Sequence, residues 1–239
     1  MEKHGTRLGN LYQKLIQIHP IIETLARRTW PQIPLIRING ENNSIVYEDA
    51  TLSSVFFDIQ GNGNRIEIGD ACYLNMVYFR IRGDNHTLHI DRKCRFLRGG
   101  SIWFAESDGS LEIGKGSTFV NVHLSITEPG SKMKIGNDCM FANDIDVRTG
   151  DSHSIIDRES NERINYAENV CIGNHVWVAS HCMLLKGVQI PNESIVATGS
   201  VVTDKFSQIG VVIAGNPARV VKTGINWSRA RTYLRPSMK

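Results

Sequence analysis

What this sequence lacks narrows it before any motif is read. No apolar run among its 239 residues approaches the ~20 that a membrane-spanning helix needs, so stable membrane insertion is not expected. The N-terminal MEKHGTRLGN carries no apolar core followed by a cleavage site, as a secretory signal would, and the expected compartment is the cytoplasm. The five cysteines, Cys72, Cys94, Cys139, Cys171 and Cys182, form no CxxC pair and no zinc spacing. An odd count in such a chain points to reduced thiols. The formal net charge of +3 is too small to argue for a nucleic-acid partner. One sign of charge is missing locally: after Asp204 there is no acidic residue, while Lys205, Arg219, Lys222, Arg229, Arg231, Arg235 and Lys239 are basic. That end suits an anionic ligand, polymer or surface, and a solvated tail is an equally good reading of its last residues.

What is present is a repeat. From Ile172 the chain divides into sixes (IGNHVW, VASHCM, LLKGVQ, IPNESI, VATGSV), whose first positions are Ile172, Val178, Leu184, Ile190, Val196 and then Val202. Aliphatics at an unbroken period of six fit neither a helix nor a simple alternating strand. They fit a coil with three short flat faces, one hexapeptide per face, in which every third repeat stacks on itself. The same spacing recurs upstream at Ile68 and Leu74, Ile90 and Phe96, Ile113 and Phe119, and Ile135, Phe141 and Val147. The fifth position is small: Cys72, Cys94, Ser117, Cys139, Cys182, Ser194 and Ser200. A tight corner in a narrow coil leaves room for little more, so these cysteines read as packing. Gly69, Gly114, Gly136 and Gly173 follow first-position aliphatics, where a turn-forming residue suits the bend between faces.

Both ends of such a coil need covers. Leu8, Leu11, Leu15 and Ile18 fall at helical spacing before Pro20, and Ile21, Ile22 and Leu25 suggest a second short helix. The expected organisation is a helical cap over 1–35, an all-β parallel coil over 36–222 with less regular early turns, and a basic tail over 223–239. Within the coil, the polar stretch RTGDSHSIIDRESNERINYAENVC interrupts the period. A polar excursion over about 148–169 from a rigid scaffold is where function is expected.

The hexapeptide pattern, the string IGNHVWVAS, the run IVATGSVVTDK and the ending IAGNPARVV together resemble the left-handed β-helix acetyltransferases. They are most similar to the sugar O-acetyltransferases that decorate bacterial capsules. The left-handed sense comes from this resemblance alone. The resemblance implies acetyl-CoA as donor, a saccharide hydroxyl as acceptor, no metal, and direct transfer with a base taking the hydroxyl proton. It places that base in the excursion, at His153, ahead of Trp177. Imidazole suits the task because an unperturbed histidine titrates near neutrality. Asp151, two residues away, would lie on the same side of an extended segment and could hold the ring; a backbone carbonyl would serve equally.

The resemblance further places Trp177 beside the base and Asn121 at the acceptor. Ser180 falls near the thioester, and Thr198 and Thr203 lie along the pantetheine arm. Arg219 and Lys222 meet the CoA phosphates, since guanidinium binds phosphate in paired hydrogen bonds. Where the family has Lys directly after the Thr of its VVT run, this chain has Asp204 and then Lys205, which puts the role of Lys205 in doubt. The family forms homotrimers with active sites between coils, and Trp177, Phe79 and Phe104 are read as outward residues awaiting a partner. His175 and His181 share a fourth position and read as structural. His86, His89 and His123 do not complete a zinc triad of the hexapeptide carbonic-anhydrase kind, because Glu128 stands where its last histidine would be. Two other functions stay open at this point: N-acetylation of an amino sugar or antibiotic, and a silent β-helix scaffold.

Overall fold

The computed structural model describes residues 33–47 and 49–231. Most of the cap expected over 1–35, with its helices, and the last tail residues lie outside the described residues; Leu35 already belongs to the first strand. Within them the chain is all-β: 24 short strands wind a left-handed parallel β-helix. Three sheets of eight, seven and nine strands form its faces. The first face begins with Leu35–Asn39, the second with Ser44–Val46 and the third with Thr51–Ser53. Each strand pairs in parallel with the one a turn later, as Leu35–Asn39 does with Phe56–Gln60. The coil ends in an antiparallel hairpin, Val212–Gly215 with Ala218–Lys222.

The first-position side chains all point inward and are buried, from Ile68 to Val202. They stack in columns: the rings of Phe96, Phe119 and Phe141 follow one another at 4.4 and 4.9 Å between centroids. Burying one such ring contributes about 1.5–3 kcal/mol. The small fifth positions are buried too. The thiols of Cys94, Cys139 and Cys182 donate to the carbonyls of Gly114, Gly173 and Ala197 at 3.1–3.2 Å. Burial pushes the Cys139 thiol up to about 11, which removes it from thiolate chemistry near neutrality.

Two expectations are corrected. Phe79 and Phe104 are fully buried, stacked into the core rather than exposed. First-face strands in the early turns run five or six residues, and Val77–Arg82 and Gly100–Phe104 alternate so that Phe79 and Phe104 face in while Tyr78, Arg80 and Trp103 face out. The second-position glycines are needed for close approach, not for a bend: a Cβ on Gly136 would lie 2.5 Å from the Gly173 carbonyl oxygen. The left-handed backbone falls instead at the fourth position, where Asp138, His175 and His181 have φ of 52°, 53° and 60°.

One ladder measures the turns. The Lys115 amide donates to Asn137 Oδ1, 22 positions on; the Asn137 amide to Asn174 Oδ1, 37 on; the Asn174 amide to Asn192 Oδ1, 18 on. The early turns exceed three hexapeptides because the corner between first and second faces is enlarged. Buried polar groups fill it. Gly109 donates to His86 Nδ1 at 3.0 Å, so the other nitrogen carries the hydrogen that meets the Arg82 carbonyl at 3.1 Å. The 37-position turn enlarges the same corner into the polar excursion, and after it the corner is tight.

Candidate active site

The excursion leaves the first face after Ile145–Arg148 and rejoins the second at Val170–Ile172. Its base is closed by the Glu168 amide on the Thr149 carbonyl at 2.9 Å. An isolated antiparallel bridge, Ile156 with Arg163, closes its tip. There Asp157 Oδ1 accepts from the Ser160 amide and hydroxyl at 2.8 and 2.9 Å, a side chain imitating a backbone turn.

Asn165 holds the loop together. It is 6% exposed. Its Nδ2 donates to the His153 carbonyl at 2.8 Å and to Asp151 Oδ2 at 2.9 Å, and its Oδ1 accepts from the Ile155 amide at 2.7 Å. Two ion pairs fix this knot to the coil. Lys186, from the next turn, reaches Asp151 Oδ2 at 2.6 Å, and Arg163 makes a bidentate pair with Glu128 on the preceding turn. The histidine position of the zinc pattern is thus occupied by a loop anchor. Burial opposes the charged form of Asp151, but hydrogen bonds from Lys186 and Asn165, with the charges of Lys186 and Arg148, outweigh it and hold the carboxyl below its ordinary value. Asp151 therefore reaches His153 through Asn165 and the backbone. The His153 side chain stands exposed on a loop whose main chain is fixed on both sides.

The other expected residues gather elsewhere. Asn121, Ser180 and Thr198 fall at the corner between third and first faces, where the Gly199 amide donates to the Ser180 carbonyl at 3.0 Å and the Asn121 amide to Ala142 at 3.3 Å. Trp177 is half-buried on the outer third face, between Met140 and Ile195 in register. Thr203 is exposed beyond Val201–Val202. On the final hairpin, Arg219 is paired with Asp204 at 2.5 Å, and Lys222 is exposed on the same strand; Lys205, before the hairpin and bridged to Gln189, is paired with Glu168 at the base of the excursion at 3.5 Å. Within one chain, then, the His153 loop and the Ser180–Thr198 corner occupy opposite edges of the first face.

His175 and His181 each face a carboxylate, Asp138 at 2.7 Å and Asp144 at 3.4 Å. Sequence reasoning missed Asn165, Lys186, Arg163 and Trp227. Asn165 and Arg163 had no signal among the polar residues of the excursion, and Lys186 had none within its hexapeptide; Trp227 had one, as a large aromatic beyond the repeats.

A hexapeptide coil with an anchored imidazole loop and a basic terminal hairpin defines a left-handed β-helix acyltransferase. No protein-family model matches the chain. It is 38% identical over 191 residues to the polysialic acid O-acetyltransferase of Neisseria meningitidis, covering 80% of this chain and 87% of that one. Among solved structures, the polysialic acid O-acetyltransferase OatWY matches with a TM-score of 0.79 and 35% identity over 83% of this chain and 93% of its own. The polySia-specific acetyltransferase NeuO matches at 0.74 and 29%, over 84% and 92%. The chain belongs to the polysialic acid O-acetyltransferase family and is itself an O-acetyltransferase, not a silent scaffold.

Proposed function

We infer that the protein moves acetyl from acetyl-CoA to a hydroxyl of a sialic acid-containing capsular polysaccharide, in the cytoplasm, by direct transfer. The observation that carries this reading is the identity to the Neisseria enzyme across nearly its whole length. His153 accepts the acceptor hydroxyl proton as that oxygen attacks the thioester carbonyl. The carbon–sulfur bond then breaks, and the proton passes from the imidazole to the departing thiolate. Trp177 and Asn121 bind the sugar, Ser180 lies near the thioester, and Thr198 and Thr203 border the pantetheine arm.

The active species is a homotrimer with each site shared between two coils. Two observations support this. The His153 loop and the Ser180–Thr198 corner lie at opposite edges of one face, so a neighbouring coil can bring them together. The loop also carries Ile155, Ile156, Ile164 and Tyr166, each at least half exposed, an apolar group of the kind that meets a partner. Incubation with acetyl-CoA and polysialic acid, followed by thiol release and mass spectrometry of the polymer, tests the activity. Acetylation of neutral glycans alone would overturn the acceptor class, and a stable, active monomer in light scattering would overturn the shared site.

Asp204 makes a further expectation specific to this chain. Its carboxylate occupies Arg219, so a CoA phosphate must compete for that guanidinium. Arg219→Ala should raise the acetyl-CoA KM about tenfold, the worth of a hydrogen bond to a charged group. Asp204→Asn should lower it, with kcat unchanged in both. Initial-rate kinetics decide, and an unchanged KM in both variants would move the phosphate site elsewhere.

A further inference from the structure

Beyond the final hairpin the chain turns at Gly224, with φ of 65°, and folds back along the coil. Its described residues are largely exposed, with one anchor: Trp227, 8% exposed. The indole lies flat on His175, with centroids 4.1 Å apart and planes 7° apart. The two residues exchange hydrogen bonds: Trp227 Nε1 donates to the His175 carbonyl at 2.7 Å, and His175 Nε2 meets the Trp227 carbonyl at 3.0 Å. His175 Nδ1 meets Asp138 at 2.7 Å. Both ring nitrogens thus face acceptors. Arg229 continues the strap, donating to Asp138 at 3.0 Å, Thr118 Oγ1 at 2.8 Å and the Cys139 carbonyl at 2.9 Å. The basic tail is therefore a docked strap as far as Arg229.

Trp227 also neighbours Trp177, with centroids 6.1 Å apart and planes tilted by 48°, within the separation at which aromatic pairs attract. Trp177 sits on a two-residue strand, which by itself leaves a large ring free to choose among rotamers. We propose that the C-terminal strap is part of the acceptor site, with Trp227 as a positioning residue that fixes the face Trp177 presents to the sugar. The strap begins just after Arg219 and Lys222, so one continuous segment joins the cofactor end of the site to its acceptor end. The proposal rests on Trp177 contacting the acceptor.

The test uses the full chain with acetyl-CoA and polysialic acid, comparing Trp227→Ala, Trp227→Phe, Trp177→Ala and the Trp227/Trp177 double variant. Trp227→Ala should raise the acceptor KM about three- to tenfold, the range an aromatic pair with one hydrogen bond is worth, leaving the acetyl-CoA KM within error. Trp227→Phe keeps the stack and should recover most of the loss. The double variant should be no worse than Trp177→Ala alone, because Trp227 acts through Trp177. Additive losses, or a loss that tracks a lowered midpoint and is not relieved by Phe, would overturn the proposal. A normal acceptor KM in Trp177→Ala would overturn it together with the acceptor reading. A defect in Trp177→Ala with none in either Trp227 variant would overturn the strap's role alone.

Discussion

His153→Ala should lower turnover by ~10²–10⁴, the usual worth of a positioned acid–base group, with acetyl-CoA affinity retained. On the proposed reading the cofactor is held at the hairpin end, around Arg219, and not by the loop, so affinity survives. The fold survives because the imidazole is exposed and outside the repeat. In the wild type, turnover should fall on the acid side, since a protonated imidazole cannot accept the hydroxyl proton. Asp151 does not confuse that profile. Its pKa is depressed in the folded chain, so the stability it contributes is fully present above the ordinary carboxylate range and is lost only as pH falls through the lower folded value. Single-turnover assays across pH, with His181→Ala as a control at an exposed histidine outside the loop, check both statements. Full activity in a folded His153→Ala protein would defeat the direct-transfer mechanism.

Asn165→Ala should cost roughly 10–100-fold in turnover although its side chain is buried away from the reacting atoms. It would leave the His153 carbonyl, the Ile155 amide and the Asp151 carboxylate short of partners at once, each loss being about 1 kcal/mol or more. A misplaced base by even 1 Å is felt at this scale. Asn165→Asp is the sharper variant: it keeps the acceptor for Ile155 but sets a second carboxylate against Asp151. Its turnover should fall while the acetyl-CoA KM stays constant, and Asp151→Asn in the same chain should restore part of the loss by removing the repulsion. Equal falls in both parameters without restoration would indicate general loop collapse instead.

The coil was legible because its constraint repeats. An inward aliphatic every six residues from Ile172 onward and a small residue at each corner are demanded by the same geometry turn after turn. The early turns were harder: their corner insertions shift the register, so Phe79 and Phe104 looked external when strand alternation turns them inward. The position of the polar loop was legible as a failure of the period, and His153 as its candidate base came only through resemblance. The contacts that hold the loop were not. Asn165, Lys186 and the Glu128–Arg163 pair come from three turns of the coil, and nothing in their spacing says that they meet. Polar residues in a polar segment acquire meaning only when the stacking brings them together.

The asparagine ladder has an evolutionary corollary. Asn137 meets Asn174 across the long turn with the same bond by which its neighbours span the shorter ones, so the stack does not register how much chain intervenes. Lengthening a closed loop is cheap, ~0.6 kcal/mol per doubling, and the closure between Thr149 and Glu168 behaves as a socket. Segments of other lengths and chemistries can be grafted there without repacking a single phenylalanine. Loop chemistry and thermal robustness are thereby separable traits in this scaffold, each open to selection without disturbing the other.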